Sequence, residues 1–151
     1  MWAAEPINGP VTAKEVTVKI LEELVALAPQ EDLVPAKSQP PTPGEQPKCL
    51  MSCSEEGTFQ YLGSTGLRFH DATSAEAFET AVYEHVRAQE GWAERSIEHP
   101  SDEPEPLFVS SGGLVLSALR LDHRGKHTVS ITVSSPCFEM PDDFQQSVDQ
   151  Y

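Results

Sequence analysis

The stretch GGLVLSALRLDHRGKHTVSITVSSPC, from Gly112 to Cys137, decides the fold. From Thr128 to Ser135 apolar and hydroxyl residues alternate. Val129, Ile131 and Val133 point one way; Thr128, Ser130, Thr132 and Ser134 point the other. Period 2 with β-branched residues on both faces predicts a half-buried strand. Its partner, Leu114 to Leu121, carries Val115, Leu119 and Leu121 on one face and Leu114, Leu116 and Ala118 on the other. Apolar residues on both faces predict a central strand. Opposed residues share a face, so the expected register sets Leu119 against Ile131 and Leu121 against Val129. The same register sets His123 against His127 and leaves Arg124, Gly125 and Lys126 as the loop. Gly125 then supplies the positive φ that the turn needs. A slip of one residue would oppose apolar side chains to serine and threonine.

Upstream, two helices are marked. Thr12 and Glu15 have capping-box spacing, with Val11 and Val16 at the staple positions. Val16, Ile20, Leu24 and Leu27 recur at helical spacing, so an amphipathic helix is expected to end near Pro29. Its apolar stripe is read as packing on the domain's own sheet. Thr73 and Glu76 repeat the capping box. Phe78, Ala81, Val82 and Val86 form the buried stripe of a second helix, and Gly91 stops it, with Trp92 back near Val86. His85 falls at the edge of that stripe and is read as a satisfied core-edge histidine.

Between these lie less regular segments. Pro29, Pro35, Pro40, Pro41, Pro43 and Pro47 predict an extended surface segment over residues 29–48 that delivers Cys49 to the sheet. A PxxP ligand at Pro40 to Pro43 lacks a nearby arginine. Gly57 to Asp71 reads as strand material, TFQYL and LRFHD, interrupted by a turn at Gly63-Ser64-Thr65-Gly66. That tetrapeptide has no lysine and is not a phosphate loop. Arg95 to His99 reads as a strand, PSDEPEP as an acidic loop, and Leu107 to Val109 as the lead into the hairpin. The fold class expected is α+β: an antiparallel or mixed sheet of about four strands with two helices packed on one face. One domain spans residues 1–151, with a loose N-terminus over 1–10 and an acidic tail over 139–151, pinned at most by Phe138 and Phe144.

The 151 residues carry a net charge of −14, with 38% hydrophobic residues and 13 prolines. Such a charge excludes a phosphate-backbone partner and disfavours an anionic membrane surface. No run approaches the roughly 20 apolar residues of a membrane span. MWAAEPINGP has neither the basic start nor the apolar core of a signal peptide.

Cys49, Cys53 and Cys137 leave three arrangements open. Cys49 or Cys53 bridged to Cys137 closes a loop of about 85 residues, worth on the order of 4 kcal/mol, in an oxidising compartment. Three reduced thiols fit the cytosol. A zinc site would need all three and a histidine, on a Cys-x3-Cys spacing that is only loosely zinc-like.

Other chemistry is sparse. Ser110 and Ser111 precede two glycines, but Gly-x-Ser-x-Gly is absent. The carboxylates of PSDEPEP and PDD sit in solvated loops, without the apolar pocket that would split their pKa values. His123 and His127, opposed at the hairpin tip, are weak zinc or copper candidates, with Asp122 as a further ligand; an exposed turn with two incidental histidines is the simpler reading. No catalytic residue and no cofactor motif is found.

Several pieces together resemble a family. A proline-rich lead ends in cysteine and is followed by GTFQYLG; a helix closes with EGW in AEAFETAVYEHVRAQEGW; the hairpin is capped by SSPC. Over residues 12–138 this is similar to the small cell-envelope lipoproteins of actinobacteria, of the LppA-like kind. The resemblance implies an extracytoplasmic domain without catalytic residues, a disulfide involving Cys137, and membrane attachment only through an N-terminal lipid anchor that this chain lacks. The expected function is non-enzymatic binding of an envelope component or small ligand. The alternative is a cytosolic acidic inhibitor or immunity-type protein that meets a basic enzyme with its negative charge.

Overall fold

A computed structural model describes residues 10–35, 37, 39, 50–97 and 105–140. In chain order the elements are α1 (Pro10–Val25), a 3-10 turn (Gln30–Asp32), β1 (Leu50–Ser52), β2 (Thr58–Phe69), α2 (Ala72–Arg87), β3 (Trp92–Ile97), β4 (Glu105–Ser110), β5 (Val115–His123), β6 (Lys126–Ser134) and β7 (Phe138–Glu139). The fold is α+β, and every strand pair is antiparallel. The sheet has seven strands rather than about four, in the order β1-β2-β6-β5-β4-β3, with β7 also on β2. β1 and β7 hold three and two residues, too few to leave a period in the sequence. Phe59 pairs with both Ser52 and Phe138, so β1 and β7 lie on opposite edges of β2.

Both helices cover one face of the sheet. From α1 come Ile20, Leu21 and Leu24, and from α2 Ala75, Phe78, Val82 and Val86. They meet Leu67, Phe69, Phe108, Leu116, Val129 and Ile131 from the sheet. Burying an apolar side chain of this size contributes roughly 1.5–3 kcal/mol. A smaller cluster, Ala13, Leu50, Tyr61 and Phe138, fastens the start of α1 over β1 and β7.

The GSTG stretch does not interrupt β2, which runs unbroken for 12 residues. Gly63 serves close approach instead of a turn. A Cβ there would collide with Thr17 Cγ2 and lie 3.1 Å from Leu21 Cδ1, so α1 crosses β2 at a position with no side chain.

Both helices start upstream of their expected caps, Thr12 and Thr73. α1 begins at Pro10, which tolerates the first helical position because it needs no N–H partner there; Thr12 is inside the first turn. Asp71 caps α2, its Oδ1 accepting the Ser74 N–H at 2.7 Å. Aspartate is as good a cap as threonine, and it came first. α2 stops at Arg87 with Ala88 as its C-cap. Gly91, at φ 82, belongs to the turn into β3, where its carbonyl accepts the Ser111 N–H at 2.7 Å.

The hairpin exists, but its register differs by one residue from that expected. Ala118 opposes Ile131, Leu119 opposes Ser130 and Leu121 opposes Thr128. Arg124 (φ 50) and Gly125 (φ 74) alone form the loop. Two consecutive residues at positive φ make the tight turn whose twist matches that of the strands, and the loop is therefore one residue shorter than expected. Leu114, Leu116 and Ala118, not Leu119 and Leu121, share the buried face with Val129, Ile131 and Val133.

The proline-rich segment is not wholly extended, since Gln30–Asp32 form a helical turn and Leu33 bridges Phe69. Gln39 extends this strip along β2. Its Nε2 donates to the carbonyls of Val34 (3.1 Å) and Arg68 (2.9 Å), and its Oε1 accepts the Arg68 N–H at 2.9 Å. The expected tail begins inside the sheet, because Phe138 and Glu139 form β7 and Phe138 is buried. Cys49, Pro40 to Pro43, most of PSDEPEP and Phe144 lie outside the described residues.

Candidate functional site

The helices leave the second face of the sheet uncovered by either of them. Strand pairing places its side chains in rows. One row runs Ala93, Val109, Val115, Ser134, Leu62, and the next Arg95, Leu107, Ser117, Thr132, Ser64. Two shorter rows follow, Leu119-Ser130-Gly66 and Leu121-Thr128-Arg68, and His123-Lys126 closes the end. The face thus has two zones. β4 and β5 form an aliphatic strip, while β6 and its neighbours carry hydroxyls. Leu119 is 39% exposed and Leu121 49%. The β3–β4 ladder continues from Arg95–Leu107 to the pair Ile97–Glu105, and Thr58 of β2 pairs with Glu139. Exposed carboxylates lie on the helical layer, at Glu15 and Glu22 of α1 and Glu76 and Glu84 of α2.

Cys53 and Cys137 form a disulfide, with their Cα atoms 6.4 Å apart and a sequence separation of 84. Cys53 follows β1 and Cys137 precedes β7, so the bridge links the two segments that flank the start of β2. Backbone bonds hold both sides. The Cys53 N–H donates to the Thr58 carbonyl at 3.0 Å, and the Ser135 N–H to that of Tyr61 at 2.9 Å. The Tyr61 N–H in turn donates to Ser135 Oγ at 2.9 Å.

No family model, curated protein or solved structure matches this chain. The site must be read from its own geometry.

The histidines of the hairpin are not brought together as expected. Asp122 opposes His127, and His123 opposes Lys126. Successive residues of a strand alternate faces, so His123 points to the helix-free face and His127 to the helical one. The shorter turn is the cause. His127 Nδ1 instead lies 2.7 Å from Asp122 Oδ1. Among the described residues no group of three or more His, Cys, Asp and Glu stands close enough to hold a metal ion.

The helical layer carries charged contacts that tie elements together. His85 Nε2 lies 3.2 Å from Glu23 Oε1 and joins α2 to α1. Arg87 makes two bonds to Glu94, of 2.9 and 2.8 Å, and lies over the rings of Tyr83 and Phe108. The Tyr83 hydroxyl donates to the Ala118 carbonyl at 3.0 Å. Partial burial pushes the Glu79 carboxyl up, opposed by the charge of Arg120. Lys14, Glu15, Val18, Lys19 and Glu22 line a shallow depression of about 300 Å³ on α1. One helix supplies all of its walls, so no second element closes over a ligand there.

The reading of residues missed the helix-free face as a site. Its signal was present in the Ser/Thr alternation of β6. Only the register reveals that the exposed leucines of β5 lie beside those hydroxyls.

Proposed function

We propose that this chain is a non-enzymatic extracytoplasmic binding domain, comparable in kind to the small envelope lipoproteins it resembles, which binds an envelope component or small ligand. The Cys53–Cys137 bridge carries this reading. Disulfides persist in oxidising compartments and are rare in the cytosol. The helix-free face is the binding surface in this reading. It sets aliphatic side chains of β4 and β5 beside hydroxyls of β6, a mixed polarity that suits recognition.

A free-thiol count on the unreduced native chain, with mass mapping of the cysteine peptides, tests the compartment. One free thiol and a Cys53–Cys137 peptide pair are expected. Three free thiols would overturn the extracytoplasmic reading. They would favour the acidic inhibitor, for which the exposed carboxylates of the helical layer speak.

A further inference from the structure

We infer that the Cys53–Cys137 bridge is a redox-operated clamp, whose reduction by a dithiol opens β1, β7 and the first turn of α1 while α2 and the rest of the sheet stay folded. The clamp goes beyond the binding role proposed above and rests only on the bridge.

The core is divided at this end of the molecule. The larger cluster draws on α1, α2, β2, β4, β5 and β6, and takes no side chain from β1 or β7 among the described residues. The smaller one is Ala13, Leu50, Tyr61 and Phe138, with Phe59 and Met140 packed against it. Leu50 belongs to β1 and Phe138 to β7, strands of three and two residues. Each of these strands pairs with β2 alone. Ladders this short fall below the usual five or six residues and do not hold themselves. The bond between Cys53, which follows β1, and Cys137, which precedes β7, supplies what the ladders lack.

α1 straddles the division. Ala13, fully buried, sits in the smaller cluster, while Ile20, Leu21 and Leu24 sit in the larger. Release of the clamp therefore loosens the start of α1 and leaves its second half seated.

The bridge is open to attack. Cys137 is exposed and Cys53 half-buried, and Ser54 to Gly57 beside it are exposed. Disulfide exchange needs a thiolate to reach one of the sulfurs, so exposed bridges are the reducible ones. One thiolate of the dithiol bonds to Cys137 Sγ, the S–S bond breaks, and Cys53 leaves as a thiolate that takes a proton from water. The second thiolate of the reductant displaces Cys137, which is protonated in the same way, and closes the reductant's own disulfide. Two electrons thus pass from the dithiol to the protein. The exposed carboxylates Glu55, Glu56 and Glu139 lie within three residues of the two cysteines, which disfavours an anionic thiol and favours a neutral dithiol.

The test starts from the bridged full chain and uses dithiothreitol, a neutral dithiol, at neutral pH without denaturant. Amide shifts and hydrogen exchange are recorded before and after reduction. A Cys49→Ser chain is run in parallel, and only opening seen in both chains counts. Reduction should be complete at about 5 mM reductant. The amides of Tyr61, Ser135 and Met140 donate within this end of the sheet and should lose at least about tenfold in exchange protection. Ala13 and Leu50 to Ser52 should shift with them. Val82, Val86, Val129 and Ile131 should keep their amide shifts. A bridge that resists reduction without denaturant, a reduced chain with every shift unchanged, or loss of shift dispersion throughout would each overturn the inference. The thiol count asks whether the native chain holds the bridge at all, so failure of the clamp leaves the compartment reading standing.

Discussion

Asp122 and His127 face each other across the β5–β6 hairpin, with Oδ1 and Nδ1 2.7 Å apart. The pair exists because the loop holds two residues. A third would have turned Asp122 away and set His123 there. Arg124 is the non-glycine residue at positive φ among the described residues, at 50°, and Gly125 follows at 74°.

The turn can therefore be improved and spoiled by single changes. Asparagine accepts the left-handed region better than arginine, so Arg124→Asn should raise stability by about 0.5–1 kcal/mol. Gly125→Val should lower it by about 1–2 kcal/mol, since a β-branched residue resists that region. Urea melts of the two variants against the parent chain decide both.

Removing the disulfide should cost more than any surface change. The bridge spans 84 residues, and closing so long a loop is worth about 4 kcal/mol in the chain-entropy model. Cys53→Ser and Cys137→Ser should destabilise equally, and the double variant by no more than either. Non-additivity in the urea midpoints checks that the two sulfurs act as one bond.

Thr17 is fully buried where α1 crosses Gly63, and its Oγ1 has no hydrogen-bond partner among the described residues. A buried unsatisfied hydroxyl costs about 1–3 kcal/mol. Thr17→Val keeps the shape and removes the hydroxyl, so it should raise stability by about 1 kcal/mol. A higher urea midpoint with the slope unchanged is the expected signature.

Asp71 links α2 to pH. The Ser74 N–H holds its carboxyl below the ordinary aspartate range, with small help from His127 and His70. A carboxylate with a lowered folded-state pKa stabilises fully above the unfolded value, near 4, and loses that contribution as pH falls through the folded value. The parent chain should lose stability below about pH 4 partly through this cap. Asp71→Asn keeps the bond without the charge, so its stability should fall less over that range. Asp71→Ala should lower Tm by about 3 °C at neutral pH. Thermal melts at pH 3 to 7 distinguish the three chains.

Much of this fold could be read from residues. Period 2 over Val129 to Val133 identified β6, and the stripe of Phe78, Val82 and Val86 identified α2, because both patterns mirror burial against one layer. The one-residue error in the hairpin has a definite origin. Leu114 to Leu121 is apolar on both faces, so its pattern does not say which leucines face the core. That choice is made at Arg124, whose left-handed backbone no pattern of hydrophobicity encodes. Gly63 misled in the opposite sense. A glycine between polar residues reads as a turn, and only the position of Thr17, 46 places upstream, shows that it makes room for a helix. The cysteines named a set of pairings and the structure selects Cys53 with Cys137. The helix-free face emerged only after the register, since adjacency across strands is invisible along the chain.

The disulfide closes a covalent ring from Cys53 to Cys137 that contains β2 through β6 and α2. α1 lies outside it, held by its packing on the sheet and by the Glu23–His85 contact to α2. The molecule is thus built as a tethered body with a separable clasp. Sub-global opening should start at α1, baring Leu67 and Thr65 while the ring keeps the rest of the sheet compact. In native-state hydrogen exchange the amides of α1 would exchange at lower cost than those of β5 and β6. The chain would then possess a partly open form that global unfolding curves do not resolve.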